Sequence, residues 1–300
     1  MRSVFAGLGL AALVWSAAHA RDQAADPLAE MRRAIGDEAA LARVIGFDVS
    51  GTSKSFFGGR SSEVRYEIHC RPADQFVTLT YQVMNVGPLG SGTLVNRHGF
   101  EGTTLIAEVS NDLGLPTPPA LFPEGPAPQT PEEVAADLQR RVMRHRQRMV
   151  TYTLPMFGAS FSGSDLSFAN AGDASRDGRQ FAVVEATRWD GVVMTLLVDK
   201  STHLPAHLSW MAAPPTTGTF TTSSLVAIGP GGRAVNRSDD PVQTRTAPDQ
   251  PPTGLVEHEI TFADFKSDAG FSWPHRFTTT IAGKVSQDVK LGKFKIRTKS

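Results

Sequence analysis

Alternation of apolar and polar residues with a period of two runs through most of the chain and predicts β-strands. In 75–84, for example, Val77, Leu79 and Tyr81 alternate with polar side chains. Strands are predicted at 45–57, 63–71, 75–84, 181–188, 192–198, 204–210, 256–262, 274–281 and 289–296, with weaker ones at 94–95 and 103–109. The pair Asp190-Gly191 predicts a two-residue hairpin turn, because glycine adopts the positive φ that such a turn needs.

Helical spacing is confined to two segments. In 26–44 the apolar residues recur near helical spacing, and Gly36 interrupts or ends a turn. The second helix, 131–150, begins at a capping box, with Thr130 as N-cap, Pro131 at the first position and Glu133 completing the box. Its predicted buried stripe consists of Val134, Leu138, Val142, His145 and Met149.

The opposite surface of the second helix is predicted to be basic. The side chains on it are Arg140, Arg141, Arg144, Arg146 and Arg148. A solvated helix face is one interpretation, and attraction to an anionic lipid or an acidic protein is the other.

Many strands and few helices determine the fold class. Short turns and only two helices exclude βαβ units, so we expect an α+β fold of mostly antiparallel β-sheet with helices against one face. A proline-rich loop, 113–130, and an insertion, 212–255, in which 23 of 44 residues are Pro, Gly, Ser or Thr, interrupt a single domain spanning 21–300. That composition predicts a flexible insertion.

The first 20 residues have the pattern of a secretion signal. Arg2 precedes an apolar run, and Ala18-His19-Ala20 is a small-x-small cleavage pattern. The run is too short for a transmembrane helix, and no second apolar run of membrane length follows. We therefore expect cleavage after Ala20 and a periplasmic product without a transmembrane segment.

Charge and cysteine content exclude several classes of protein. Without Arg2 the chain has 29 basic and 30 acidic residues, and this balance argues against a nucleic-acid partner. The single cysteine, Cys70, cannot form an internal disulfide, and strand alternation puts it on an apolar face. A buried thiol is the expectation, with a reactive or intermolecular thiol as the alternative.

The chain has no complete catalytic motif, which favours a protein that is not an enzyme. The stretch 158–162 lacks the final glycine of Gly-x-Ser-x-Gly. His203 and His207 share the polar face of a predicted strand, where Glu257 or Glu259 could join them in a surface zinc site. Solvated polar faces are the default, so we expect no metal, no cofactor and no catalytic residues.

Motifs in the C-terminal half resemble a known family. Asp190-Gly191, the segment 199–205 (DKSTHLP), Phe262-Ala263-Asp264-Phe265 and the segment 270–274 (GFSWP) resemble motifs of the LolA/LolB-like superfamily of periplasmic lipoprotein carriers. The order of helix, strands, second helix and strands is similar as well. The resemblance implies a strongly curved half-open barrel sheet wrapped around two or more helices, with an apolar surface that can receive acyl chains.

Two functions follow from these expectations, and the sequence leaves both open. One is a carrier or binding protein for an apolar ligand or an acylated protein; the other is an envelope interaction module with a packed core. The predicted lining of the ligand cavity is Val77, Leu79, Tyr81, Met194, Leu196, Leu208, Trp210 and Phe277.

Overall fold

The computed structural model describes residues 26–85, 90–112, 130–214, 227–228, 234–235 and 254–299. The predicted signal segment, residues 113–129 of the proline-rich loop and most of the insertion lie outside these residues. The described elements are, in chain order, α1 (Pro27–Ile35), α2 (Glu38–Arg43), β1 (Val44–Phe57), β2 (Arg60–Arg71), β3 (Gln75–Asn85), β4 (Ser91–Glu101), β5 (Thr104–Asn111), α3 (Pro131–Phe157), β6 (Leu166–Arg176), β7 (Arg179–Arg188), β8 (Val193–Asp199), β9 (Pro205–Ala212), β10 (Ala227–Ile228), β11 (Ala234–Val235), β12 (Val256–Asp268), β13 (Phe271–Ile281) and β14 (Lys284–Thr298).

Twelve of these strands form one antiparallel sheet with the order β5-β4-β3-β2-β1-β14-β13-β12-β9-β8-β7-β6. It consists of two meanders, one on each side of the pairing between β1 and β14. The short strands β10 and β11 pair only with each other. The expected α+β class with a mostly antiparallel sheet is therefore confirmed, and the sheet is open, with β5 and β6 at its edges.

Strand β6 is present in the structure although the sequence pattern does not predict it. Leu166 and Phe168 are its only large apolar residues, and most of its side chains are exposed. Its backbone pairs with β7 along one side, with a register shift between Asn170 and Gly172. An edge strand needs backbone pairing but little burial, so it lacks the alternation that identifies half-buried strands.

Helix α3 packs on one face of the sheet, which we call the inner face. The ring of Tyr152 on α3 lies 5.6 Å from the ring of Phe76 on β3 and 5.1 Å from that of Phe277 on β13. The ring of Phe157 lies 5.5 Å from that of Trp273 on the same strand β13. Because side chains alternate along a strand, these contacts fix which residues of each strand point to the inner face. Cys70 is buried among them, as predicted.

The buried surface of α3 differs from the predicted stripe. The capping box at Thr130 and Glu133 is present as predicted, but Val134 and Leu138 are 42% and 46% exposed. The helix continues past the predicted end at 150, and every residue from Met149 to Phe157 is buried. A helix segment buried on all sides has no polar face, so periodicity cannot reveal it.

The C-terminal end of α3 is buried, and other elements supply partners for its carbonyl groups. Gly158, in the left-handed conformation, donates its N–H to the carbonyl of Leu154 at 2.8 Å. Trp273 Nε1 donates to the carbonyl of Met156 at 3.0 Å, and Arg32 Nη1 donates to the carbonyl of Phe157 at 3.1 Å. These contacts satisfy carbonyls that a helix end leaves unpaired. They join α1, α3 and β13 at one point.

An aromatic cluster surrounds this helix end. Trp273 is fully buried, and its ring lies within 5.1 to 6.0 Å of the rings of Phe47, Phe157, Phe271 and Phe294. The cluster draws on β1, α3, β13 and β14. Large buried rings contribute much of the apolar area that drives folding, so this region is the centre of the core.

Replacing Gly158 by alanine should destabilise the protein more than the same change at another positive-φ glycine. A Cβ at Gly158 would lie 2.6 Å from Cε of Met31, which is fully buried, whereas a Cβ at Gly178 would meet nothing within 4 Å. We expect Gly178→Ala to cost about 1 kcal/mol of unfolding free energy and Gly158→Ala about 2–3 kcal/mol. Urea unfolding of both variants measures the difference, and equal losses would contradict the proposed contact.

Candidate functional site

A cavity of about 400 Å³ lies between α3 and the inner face of strands β9, β12 and β13, and we call it the α3 pocket. This volume falls in the range of small-molecule sites. Its described lining combines apolar or aromatic residues with three arginines and contains no Asp or Glu. The lining residues are Arg144, Gln147, Arg148, Thr151, Tyr152, Arg188, Trp210, Ala213, His258, Ile260, Phe277, Thr279 and Gln287.

The apolar part of the α3 pocket is built from facing rings. Phe277 lies between Tyr152, with ring centroids 5.1 Å apart, and Phe262, at 5.5 Å. Trp210 on β9 is stacked on His258 on β12, with ring centroids 5.5 Å apart. The pairing of these two residues across the strands brings the rings together. This side of the pocket offers aromatic surface to an apolar ligand.

The polar part of the pocket centres on Arg148. Its guanidinium donates to the hydroxyl of Tyr66 at 3.1 Å, and that hydroxyl lies 3.4 Å from the hydroxyl of Tyr152. The neighbouring Tyr66 raises the pKa of Arg148, while burial acts in the opposite direction. Burial raises the pKa of Tyr66 well above its usual range, so its hydroxyl stays neutral. Arg148 is therefore a half-buried cation among neutral groups.

A second arginine of the lining, Arg188, pairs with a carboxylate in the hairpin turn between β7 and β8. Arg188 is nearly buried and makes two hydrogen bonds, of 3.0 and 2.7 Å, with the carboxylate of Asp190. Gln147 of α3 donates to the same carboxylate at 2.8 Å. Arg188 holds the pKa of Asp190 below its usual value against the opposing effect of burial. This network connects α3 to the hairpin of β7 and β8.

Two of the eight residues predicted to line a ligand cavity, Trp210 and Phe277, line the α3 pocket. Met194, Leu196 and Leu208 point to the inner face, as predicted, but they are fully buried in the core. Ligand binding by any of them stays a prediction.

The other three residues lie on the opposite, outer face of the sheet. The Phe76 side chain contacts α3, so Val77, Leu79 and Tyr81 point away from it. The Tyr81 hydroxyl donates to Glu67 at 2.9 Å on that outer face. The three residues therefore do not share a face with Met194 and Leu196 of β8, and ligand binding by them stays a prediction. Both faces of β3 carry large apolar residues, so alternation could not say which face is inner.

The arginines of α3 do not form the continuous basic face that the sequence predicts. Arg146 donates to the carbonyls of Ala73, Gly102 and Gly163 at 3.1 to 3.2 Å, and its guanidinium lies over the ring of Phe100. The contacts with Ala73 and Gly102 connect α3 to two turns of the first meander. Arg140 and Arg141 pair with Asp137, and Arg148 lines the pocket. An acidic or lipid partner at this helix stays a prediction.

His203 and His207 do not meet. His207 lies 3.1 Å from Glu259, which also pairs with Arg176, and His203 lies 3.2 Å from Glu30 of α1. Within the described ranges, no group of three or more histidine, cysteine, aspartate or glutamate side chains is placed to hold a metal ion. His258 shares the side of β12 that carries Ile260, and both residues line the α3 pocket.

The segment 199–205 that carries part of the family resemblance forms a structural turn. Asp199 accepts hydrogen bonds from the backbone N–H groups of Ser201 and Thr202, both at 2.9 Å, and from Arg179. These contacts hold the pKa of Asp199 well below its usual range, although burial opposes them. A second cavity, of about 390 Å³, lies beside this turn and has both charged and apolar residues in its lining.

Solved structures similar to this chain extend over about nine tenths of its length. A LolA superfamily protein from Nitrosomonas europaea is 13% identical, with a TM-score of 0.44, and the match covers 91% of this chain and 93% of that one. An outer membrane lipoprotein-sorting protein domain from Vibrio parahaemolyticus is 13% identical, with a TM-score of 0.40 and coverage of 90% and 91%. A DUF1329 family protein from Desulfovibrio piger is 8% identical, with a TM-score of 0.40 and coverage of 90% and 91%.

No family model and no curated protein matches the chain. Two of these solved structures have names that agree with the family that the motifs resemble. At such low identity and TM-scores below 0.5, they carry no inference about a ligand or an activity of this chain.

His145, beside the pocket on α3, should make the protein less stable in acid. Burial and the neighbouring Arg148, His98 and Arg144 lower its pKa from 6.5 to about 4. Between these values the unfolded chain binds a proton that the folded protein does not, so stability falls as the pH decreases from 6.5 to 4. His145→Gln should weaken the pH dependence of the unfolding free energy between pH 6.5 and 4, and should leave the pH dependence above pH 7 unchanged. Urea unfolding across this range measures it, and an unchanged slope would contradict the expectation.

Proposed function

We propose that this protein is a non-catalytic binding or carrier protein that holds one acyl chain, or an apolar ligand of similar size, in the α3 pocket. The observation that carries the proposal is a cavity of about 400 Å³ lined by Tyr152, Trp210, Ile260 and Phe277 next to a packed core. Burial of apolar surface is the main source of affinity for such a ligand. An acyl chain attached to a protein could enter the same site.

The periplasm is the compartment that fits this function. The secretion signal predicted at 1–20 supports it. In the described part of the chain, no helix combines the length and apolarity needed to cross a membrane. A carrier in this compartment would move acyl chains through water between membranes, which requires a protected apolar site.

The proposal includes a sheet that curves around α3. In the sheet order, β3 and β13 are separated by β2, β1 and β14, so a flat sheet would hold them about 19 Å apart. The single ring of Tyr152 nevertheless contacts Phe76 on β3 and Phe277 on β13. These two contacts support a half-open barrel of the kind that the family resemblance implies.

An interaction module with a packed core is the second candidate. The observation that favours it is the complete burial of α3 from Met149 to Phe157, which fills the inner face near the aromatic cluster. The two functions differ in what occupies the α3 pocket, because a module without a small ligand has no need of a cavity there.

Linear alcohols should bind to the α3 pocket with an affinity that rises with chain length. Each buried methylene contributes about 0.8 kcal/mol, so octanol, decanol and dodecanol should bind about 4-fold more tightly per added carbon until the cavity is filled. The fluorescence of Trp210 should shift on binding, and Trp210→Phe should remove the shift. An affinity independent of chain length would favour the packed module.

Filling the pocket should weaken binding of the alcohols. Thr279 lines the pocket, and Thr280, the next residue on β13, points to the opposite face of the sheet. Thr279→Phe should therefore lower the affinity for dodecanol at least 10-fold, whereas the matched control Thr280→Phe should leave it unchanged. Equal effects of the two changes would place the alcohol elsewhere.

A further inference from the structure

We propose that the α3 pocket selects amphiphiles with an anionic headgroup, and that Arg148 binds this headgroup. The inference rests on the proposed function and specifies its ligand class. The headgroup is a carboxylate or a phosphate, which present the same acceptor chemistry to a guanidinium. The tail is a single apolar chain that occupies the aromatic part of the pocket.

The hydrogen-bonding partners of Arg148 are neutral. Within the described ranges its hydrogen-bonding partners are the hydroxyls of Tyr66 and Tyr152, and no described carboxylate pairs with it. By contrast, two arginines of the sheet contact carboxylates directly. Arg188 pairs with Asp190, and Arg297 pairs with Asp48. Arg148 is thus a cation that the described part of the fold surrounds with neutral acceptors.

The guanidinium of Arg148 is energetically unfavourable in these surroundings. A guanidinium has five N–H donors, and two hydroxyls cannot satisfy all of them. A charge that is partly removed from water without a counter-charge is unfavourable. An anionic group at Arg148 would supply both the counter-charge and acceptors suited to two parallel hydrogen bonds. The pocket can therefore stabilise an anion more than the neutral equivalent.

The charge of the described pocket lining is positive. Its described lining has three arginines and no carboxylate, and Asp190, just outside the lining, neutralises Arg188. The guanidinium of Arg148 thus leaves a positive charge at the α3 side of the pocket. The lining favours an anion and disfavours a cation of the same shape.

The charge of Arg148 lies next to the aromatic surface of the pocket. Arg148 and Tyr152 are four residues apart on α3, so their side chains lie on the same side of the helix. Tyr152 continues into the rings of Phe277 and Phe262. A headgroup at Arg148 would therefore place its tail along Tyr152 and Phe277 towards Ile260 and Trp210.

Ligands that share one tail and differ in headgroup test the proposal on the unmodified protein. Dodecanoate, dodecyl phosphate, dodecanol and dodecyltrimethylammonium are titrated at constant ionic strength below their micelle concentrations, with Trp210 fluorescence and calorimetry as readouts. Dodecanoate or dodecyl phosphate should bind at least 10-fold more tightly than dodecanol, because hydrogen bonds to charged groups are strong. The ammonium compound should bind most weakly. The tighter of the two anions identifies the headgroup.

Two variants assign the preference to Arg148. Arg148→Met keeps much of the side-chain length and removes the charge, so in this variant the anions should bind no more tightly than dodecanol does. The matched control is Arg140→Met on the same helix, where the arginine is exposed and pairs with Asp137. It should keep the parental preference. If Arg148→Met does not fold, Arg148→Lys provides the test and should reduce the preference in part.

The outcomes separate this inference from the proposed function. If dodecanol binds as tightly as the two anions, the headgroup inference fails and the apolar site stands. If none of the four ligands binds, the proposed function fails and the inference fails with it. Tight binding of butanoate or inorganic phosphate, equal to that of the dodecyl anions, would also overturn the proposal, because the tail would then contribute nothing.

Discussion

The buried C-terminal end of α3 is the constraint on which the rest of the structure depends. A helix end inside a core leaves carbonyl groups that must find donors, since each unsatisfied group would cost about 1–3 kcal/mol. Trp273, Arg32 and Gly158 supply those donors from β13, α1 and the residue after the helix. The aromatic cluster closes around the same point. The position of α3 on the sheet is thereby fixed.

The α3 pocket follows from how that helix changes along its length. Its first turns are largely exposed, and its last turns are buried on all sides. Arg148 and Tyr152 lie at the transition on the same side of the helix, so the charge of Arg148 lies next to the aromatic surface that Tyr152 shares with Phe277. Tight packing at one end and open space at the transition are therefore parts of one arrangement. The same helix supplies a packed core and a site with both apolar and cationic surface.

The sequence predicts much of the fold and only part of the site. Alternation identified the inner-face residues Leu208, Trp210 and Phe277 in the C-terminal meander, where one face of each strand is clearly polar. It failed at β3, because Phe76 and Val77 are both buried on opposite faces. The environment of Arg148 depends on Tyr66, which is 82 residues away. Contacts between distant segments leave no periodic signal, so the pocket could not be predicted.

The pairing of β1 with β14 joins the two ends of the described chain, and Arg297 contacts Asp48 across 249 positions. The central pair of the sheet cannot form until the last strand is available. Contacts between residues so far apart in sequence make folding slow. Synthesis of the chain proceeds from its N-terminus, so the first meander is made long before β14, the strand that pairs with β1. The topology thus makes completion of the sheet depend on the last strand of the described chain.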